Sequence, residues 1–278
     1  MAQNVHGRTA EESTHCLLGR HHTGCMRLGV DEIVGKYKLI ALDMDGTLLN
    51  EDKKISAENQ AAIREASSQG KVVIMSTGRG AISAMPYIKE LGLTTPLVVV
   101  NGSEVWASPD RLLKRTLVPI ETIRDLHQLA VAHDCWWWAY SVAGVFNRES
   151  EGLHLDEHEW LKFGYFTDNA EKLQRIREVV ASWGTLEITN SHPSNLEMNP
   201  LGVTKASGVE TVCDFLGISM SEVIAMGDSE NDIAMIREAG LGIAMGNAQD
   251  EVKRIADMTT VTNDEHAVAQ VIRTYMLA

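Results

Sequence analysis

Two aspartates at i and i+2, Asp43 and Asp45, end a short apolar run, Leu39-Ile40-Ala41-Leu42, and are followed by Gly46 and Thr47. A buried strand that delivers charged residues at its C-terminal end is where open α/β sheets place their chemistry. At this spacing the first carboxylate can enter a pocket while the second leaves the strand and turns. Gly46 permits a sharp bend and close approach of a ligand to the backbone, and the N–H groups after it can form an anion-binding nest. A D-x-D-G run by itself is equally a strand ending in a polar turn, so its meaning depends on what the rest of the chain supplies.

The chain supplies three more such ends. Ser76-Thr77-Gly78-Arg79 follows the apolar run Val72–Met75, Asn101-Gly102 follows Leu97–Val100, and Asp228, Asn231 and Asp232 follow Glu222–Met226. Lys205 opens a helical stretch just before the last of these runs. If the ends converge on one edge of a sheet, Asp43, Asp45, Asp228 and Asp232 repel one another strongly without a cation. Oxygen ligands of this kind favour Mg²⁺, which takes one or two carboxylates and keeps some waters. A lysine and a hydroxyl nearby suit phosphate oxygens. Carboxylate nucleophile, hard metal and lysine together indicate phosphoryl transfer through an aspartyl-phosphate.

The elements that must position these groups follow from periodicity. Ser56 is an N-cap candidate with Glu58 in the first turn, opening a helix that stops near Gly70; a second helix covers Ala81–Leu91. Three apolar runs separated by helices read as β-α-β-α-β with a parallel sheet. From about Trp106 to Leu196 the pattern is mixed: helices over Pro119–His133 and Asn169–Trp183, strands over Cys135–Tyr140, Gly144–Asn147, Thr185–Thr189 and Asn195–Met198. The second helix is expected to bury Leu173, Ile176, Val179 and Val180. Two strand pairs, each with a helix, read as an α+β domain inserted into the first. The parallel pattern returns after Pro200, with helix Lys205–Leu216, strands at Glu222–Met226 and Leu241–Met245, and closing helices. The expected domains are a core over 36–108 and 200–278 and a cap over 109–199. Residues 1–35 read as a loose extension, in which Cys16, His21, His22 and Cys25 match no usual structural zinc spacing.

The chain has 278 residues, 44% of them hydrophobic, and a formal charge of −13 from 38 acidic and 25 basic residues. That balance argues against a nucleic-acid partner or an anionic membrane surface but leaves room for a small phosphorylated metabolite, because a bound cation reverses the local field. No apolar run approaches the roughly 20 residues needed to span a bilayer. Four cysteines without C-x-x-C spacing read as free thiols in a reducing cytoplasm. The sequence sets no oligomeric state.

Taken together, Asp43-Met44-Asp45-Gly46-Thr47-Leu48-Leu49, Ser76-Thr77-Gly78-Arg79, Lys205 and Gly227-Asp228-Ser229-Glu230-Asn231-Asp232 resemble the haloacid dehalogenase superfamily, and within it the Cof-type phosphatases with a large inserted cap. The resemblance runs from about Lys38 to the C-terminus and implies a doubly wound, Rossmann-like parallel-sheet core with an α+β cap. It implies that Asp43 takes the phosphoryl group, and that Asp45 protonates the leaving oxygen and then activates water. Gly46, Thr77, Gly78, Asn101, Lys205 and Asn231 are expected at the substrate. Asp43, Asp228 and the main-chain carbonyl of Asp45 are expected around Mg²⁺, with Asp232 supporting either the metal or Lys205. The expected substrate is a small phosphomonoester, foremost a sugar phosphate. A phosphatase for a sugar-containing osmolyte precursor, of the mannosylglycerate- or sucrose-phosphate type, and a non-catalytic phosphosugar-binding regulator are the alternatives.

Two further motifs carry weaker readings. His154-Leu155-Asp156-Glu157-His158 matches H-x-x-E-H, but without a third ligand it reads as an exposed acidic segment. Strand alternation sends Trp136 and Trp138 to one face and Trp137 to the other, one face being core and the other a candidate substrate wall with Tyr140.

Overall fold

The computed structural model describes residues 35–278; the expectations for Cys16, His21, His22, Cys25 and a loose extension fall outside the described residues. Strand β1 (Leu39–Leu42) leads through helix α1 (Ala57–Ser68) to β2 (Val72–Met75), then through α2 (Ala81–Leu91) to β3 (Leu97–Val99) and the hairpin β4 (Glu104–Ser108) and β5 (Arg111–Arg115). The inserted domain runs α3 (Ile120–Ala132), β6 (Trp136–Ser141), β7 (Gly144–Asn147), β8 (Trp160–Phe166), α4 (Ala170–Trp183), β9 (Leu186–Thr189) and β10 (Asn195–Pro200). The chain then returns through α5 (Lys205–Leu216), β11 (Val223–Gly227), α6 (Ile233–Glu238), β12 (Leu241–Ala244), α7 (Asp250–Ile255), β13 (Met258–Thr259) and α8 (Ala267–Val271).

The core sheet is parallel, in the order β13-β12-β11-β1-β2. Every residue of β1 is fully buried, because alternate side chains enter two different layers. Ile40, Leu42, Val73, Met75, Ile224 and Met226 pack with Ile63, Ile88 and Val268 on one side. Leu39, Ala41, Ile74, Val223 and Ala225 pack with Val209, Val212 and Met235 on the other. A sheet covered on both faces needs near-continuous apolar strands, which is why these runs were legible. The chain winds from β1 outward to β2 and later returns to β11 on β1's other side. The C-terminal ends of β1 and β11 are therefore the point where the winding reverses, the place where such sheets bind ligands.

Three expectations need correction. The third apolar run is not a full member of the parallel sheet. Only the bridge Ser76↔Val98 is parallel, and β3 pairs antiparallel with β4, which pairs with β5. The boundary expected between 108 and 109 therefore falls in the turn of that hairpin, and the chain leaves for the cap after Arg115, since the hairpin's cross-strand bonds tie it to β3. The cap is one antiparallel sheet in the order β7-β6-β8-β10-β9, not two strand pairs. Its central strand, β8, gave no alternation signal because six of its seven residues are buried: one face meets the cap's own core, the other meets the core domain. Finally, Val179 is 39% exposed, while Leu173, Ile176 and Val180 are buried as expected.

Candidate active site

β1 ends in Asp43, a buried residue that is 5% exposed. The first turn of α5 brings Lys205 against it. Thr204 caps that helix, accepting from the Ser207 amide while Ser207 Oγ accepts from the Thr204 amide, which fixes Lys205 as the first helical residue. Lys205 Nζ donates to Asp43 Oδ1 and to Asp232 Oδ1, both at 2.6 Å. Burial opposes the ammonium, but the carboxylates of Asp232 and Asp43 outweigh it and hold Lys205 above its ordinary range.

Asp43, Asp228 and Asp232 bring carboxylate oxygens within 4.8 Å of one another. Burial, reinforced by the neighbouring carboxylates, raises Asp43 well above its ordinary value despite Lys205, and burial followed by the charge of Asp232 pushes Asp228 up to about 6. An all-oxygen cluster with more negative charge than one ammonium can balance fits a hard divalent cation. Asp228 is oriented for such a role, accepting from Thr47 Oγ1 at 3.3 Å and Ser229 Oγ at 2.9 Å. Asp232 is not equally free. Its Oδ1 takes Lys205 and its Oδ2 takes the amides of Asp228 and Ser229, each at 3.0 Å, so of its two expected duties the contacts present are those that hold Lys205, together with the β11 loop.

Gly46 has φ +81, and a Cβ there would sit 2.6 Å from Asp228 Oδ2. Its place is thus beside the carboxylate cluster, and only glycine lets the β1 loop approach Asp228 so closely. Asp45 turns away from Lys205. Arg79 donates to it in a fork, Nε to Oδ2 at 2.6 Å and Nη2 to Oδ1 at 2.7 Å, and Lys53 Nζ adds a third contact at 3.2 Å. Burial alone would raise Asp45, but the hydrogen bonds and charge of Arg79, with Lys53, outweigh it and hold the carboxyl below its ordinary value.

Asp43, Asp45, Thr77, Gly78 and Asn231 line one cavity of about 430 Å³, so five of the expected site residues share a single space. Asn101, expected at the substrate, does not line it. Its amide donates to Glu197 Oε2 at 2.6 Å and Asn199 Oδ1 at 3.2 Å, and its Oδ1 accepts from Asn231 at 3.3 Å. Asn101 instead ties core to cap from a left-handed turn in which Val100 has φ 51 and Asn101 φ 57, an unusual conformation for a β-branched residue. Asn231 Oδ1 is buried without a partner.

The other wall belongs to the cap: Trp138 and Tyr140 from β6, Lys162 from β8, Ser191, and Asn195 and Glu197 from β10. The expected split of the tryptophans holds. Trp137 is buried and stacks on Phe163 at 5.4 Å, while Trp138 faces the cavity. Lys162, buried, pairs with Glu197 at 3.1 Å and reaches across to Gly78 O at 2.8 Å. Sequence reasoning missed Lys162, Glu197 and the duty of Arg79. A lone lysine inside the apolar run Trp160–Phe166 was the one available signal for the first. His154 and His158 join no metal-type cluster among the described residues; His158 packs on Phe146 and Trp160.

The family model described as haloacid dehalogenase-like hydrolase matches residues 40–159 and 145–272. The chain is 46% identical over 240 residues to the 5-amino-6-(5-phospho-D-ribitylamino)uracil phosphatase YcsE of Bacillus subtilis, covering 86% of this chain and 96% of that protein. It is 32% identical to YitU of the same organism, a phosphatase of the same printed name, over 85% of this chain and 97% of the relative. Among solved structures, a haloacid dehalogenase-like hydrolase from B. subtilis superposes with a TM-score of 0.79 at 26% identity, covering 85% of this chain and 99% of that one.

Proposed function

Since the chain belongs to the haloacid dehalogenase-like hydrolases and is a phosphoric monoester hydrolase of that superfamily, we propose that it removes the terminal phosphate of a ribityl-type phosphomonoester through an aspartyl-phosphate on Asp43, with Mg²⁺ as cofactor. The observation that carries the mechanism is the contact of the buried Lys205 with Asp43 at 2.6 Å, Asp43 lining a cavity that also reaches Thr77 and Asn231. Asp43 attacks phosphorus and the bond from phosphorus to the ester oxygen breaks. Asp45 supplies the proton that the departing alkoxide needs, then takes one from the water that cleaves the aspartyl-phosphate to inorganic phosphate. Lys205 and the Thr77 hydroxyl hold the phosphoryl oxygens, and positioning of this kind matters more than raw nucleophilicity in a loose transition state. Asp43 and Asp228, with the main-chain carbonyl of Asp45, are the residues that would hold Mg²⁺. The ion, when bound, offsets the repulsion between carboxylate and phosphate.

The substrate reading comes from the relatives that share most of this chain's length and are named for 5-amino-6-(5-phospho-D-ribitylamino)uracil. It narrows the expected sugar phosphate to a sugar-alcohol phosphate, and a cap wall carrying both an indole and ionic groups suits a leaving group of mixed character. A cytoplasmic setting belongs to the same proposal, as the free buried thiols Cys135 and Cys213 suit a reducing compartment.

The test is release of inorganic phosphate from that ester and from p-nitrophenyl phosphate, with Mg²⁺ and with a chelator. Metal-dependent release, abolished in a folded Asp43→Asn variant, is the expected result. Turnover by Asp43→Asn at the wild-type rate would remove the covalent route, and phosphosugar binding without any turnover would leave a binding protein.

A further inference from the structure

One face of the cap sheet looks down on the carboxylates. Cross-strand register places Trp138 opposite Gly164 and Gly164 opposite Glu197, with Tyr140 opposite Lys162 and Trp136 opposite Phe166. Gly164 thus stands near the middle of the central cap strand between an indole and a carboxylate. A glycine there weakens a strand and commonly marks a close approach. The close approach is visible: a Cβ on Gly164 would sit 2.4 Å from both Cε2 and Cζ2 of Trp138. The benzo ring of Trp138 therefore lies across the backbone of β8, on a residue with no side chain to lift it. Trp136 lies beside it, at 5.8 Å between centroids and tilted by 34°. Trp138 is half-buried and borders the cavity that holds Asp43.

We infer that Trp138 is a specificity-determining platform, seated by Gly164, on which a planar ring of the leaving group stacks while its phosphate lies at Asp43. The inference rests on the phosphatase reading above and adds the residue that tells a ring-bearing ester from a ringless one. An indole seated in advance loses little freedom when a ring stacks on it. Aromatic stacking on a base-like ring is worth roughly tenfold or more in affinity. Lys162 and Glu197 do not serve this purpose, being engaged with each other and with the core.

The experiment compares kcat/KM for 5-amino-6-(5-phospho-D-ribitylamino)uracil and for D-ribitol 5-phosphate, which share the phosphate-bearing chain and differ in the ring. The wild-type protein is expected to favour the first, and Trp138→Ala to lower the ratio of the two by roughly tenfold or more, mainly through KM. Trp138→Phe, which keeps a planar face, should restore most of the ratio. Gly164→Ala should lower the ratio in the presence of Trp138 and change it little in a Trp138→Ala background, since the added methyl acts only by displacing the indole. Should Trp138→Ala not fold, Trp138→Leu carries the same comparison. An unchanged ratio, or equal loss on both substrates, overturns the inference while p-nitrophenyl phosphate turnover still upholds the phosphatase reading. Absence of turnover on every ester overturns both.

Discussion

The carboxylate of Asp45 lies in the fork of Arg79, which keeps it ionised. The hydrogen bonds and charge of Arg79 favour the carboxylate, so Asp45 can carry the proton that a departing alkoxide needs only after it leaves the fork. The cost of removing it should therefore depend on the leaving group. Asp45→Asn is expected to slow turnover of an alkyl phosphate such as D-ribitol 5-phosphate by roughly 10²–10⁴-fold, and of p-nitrophenyl phosphate far less, because nitrophenolate departs without a proton. Equal slowing on both esters would assign Asp45 to binding. Gly46 answers to geometry alone. A methyl at φ +81 and 2.6 Å from Asp228 must displace the carboxylate, so Gly46→Ala should raise the Mg²⁺ concentration that half-activates the enzyme by roughly tenfold or more, read from a metal titration of phosphate release. The types of these residues were plain in the sequence; that Arg79 and not solvent meets Asp45 was not, because the two lie 34 positions apart.

At the scale of elements, β8 decides how the cap sits. Its Lys162 is sealed between Glu197 of the neighbouring strand and the carbonyl of Gly78 in the core. Glu197→Ala would leave a buried ammonium without its carboxylate and should cost about 3–5 kcal/mol, measured by denaturant unfolding. Replacing Lys162 and Glu197 together by Met and Leu should cost less, and an equal cost would mean that packing, not charge, is at issue. The pair also sets an acid limit. Burial alone would raise Glu197, but Lys162 together with Asn101 and Ser191 outweighs it and holds the carboxyl below its ordinary 4.5. A depressed carboxyl stabilises the fold above its unfolded-state pKa, and that share is lost as pH falls through the folded value. Wild-type stability should accordingly drop below about pH 4.5 more steeply than that of the Met/Leu pair. This strand escaped the sequence reading for a physical reason: two buried faces erase the polar–apolar alternation on which strand detection relies.

For the whole molecule, cap and core are joined by several contacts beyond the connecting segments. Arg177 and Asn190 of the cap both donate to Glu230 Oε2 at 2.5 Å, and the Asn231 amide donates to Asn190 O at 3.1 Å. The loop that carries Asp228 is therefore also the loop that receives the cap. The Arg177–Glu230 pair is about a third exposed on each side, so its share is modest. Arg177→Ala should raise KM by a factor of roughly two to five with little change in kcat and enlarge the radius of gyration measured by X-ray scattering without substrate. An unchanged KM would show that the backbone contacts suffice for closure.

The sequence by itself picked out the candidate site residues and the core that carries them. Asp43, Asp45, Thr77, Lys205 and Asp228 each stand at the end of an apolar run or the start of a capped helix, where local pattern and backbone direction suffice to place them. What the tertiary structure alone decided is everything that depends on partners remote in the chain: the fork of Arg79 on Asp45, the union of Asn101 with Glu197 across 96 residues, the withdrawal of Asp232 into holding Lys205, and the indole laid over Gly164. Residue type declares what a side chain can do, but which neighbour it meets is set by how two sheets, one parallel and one antiparallel, are brought face to face.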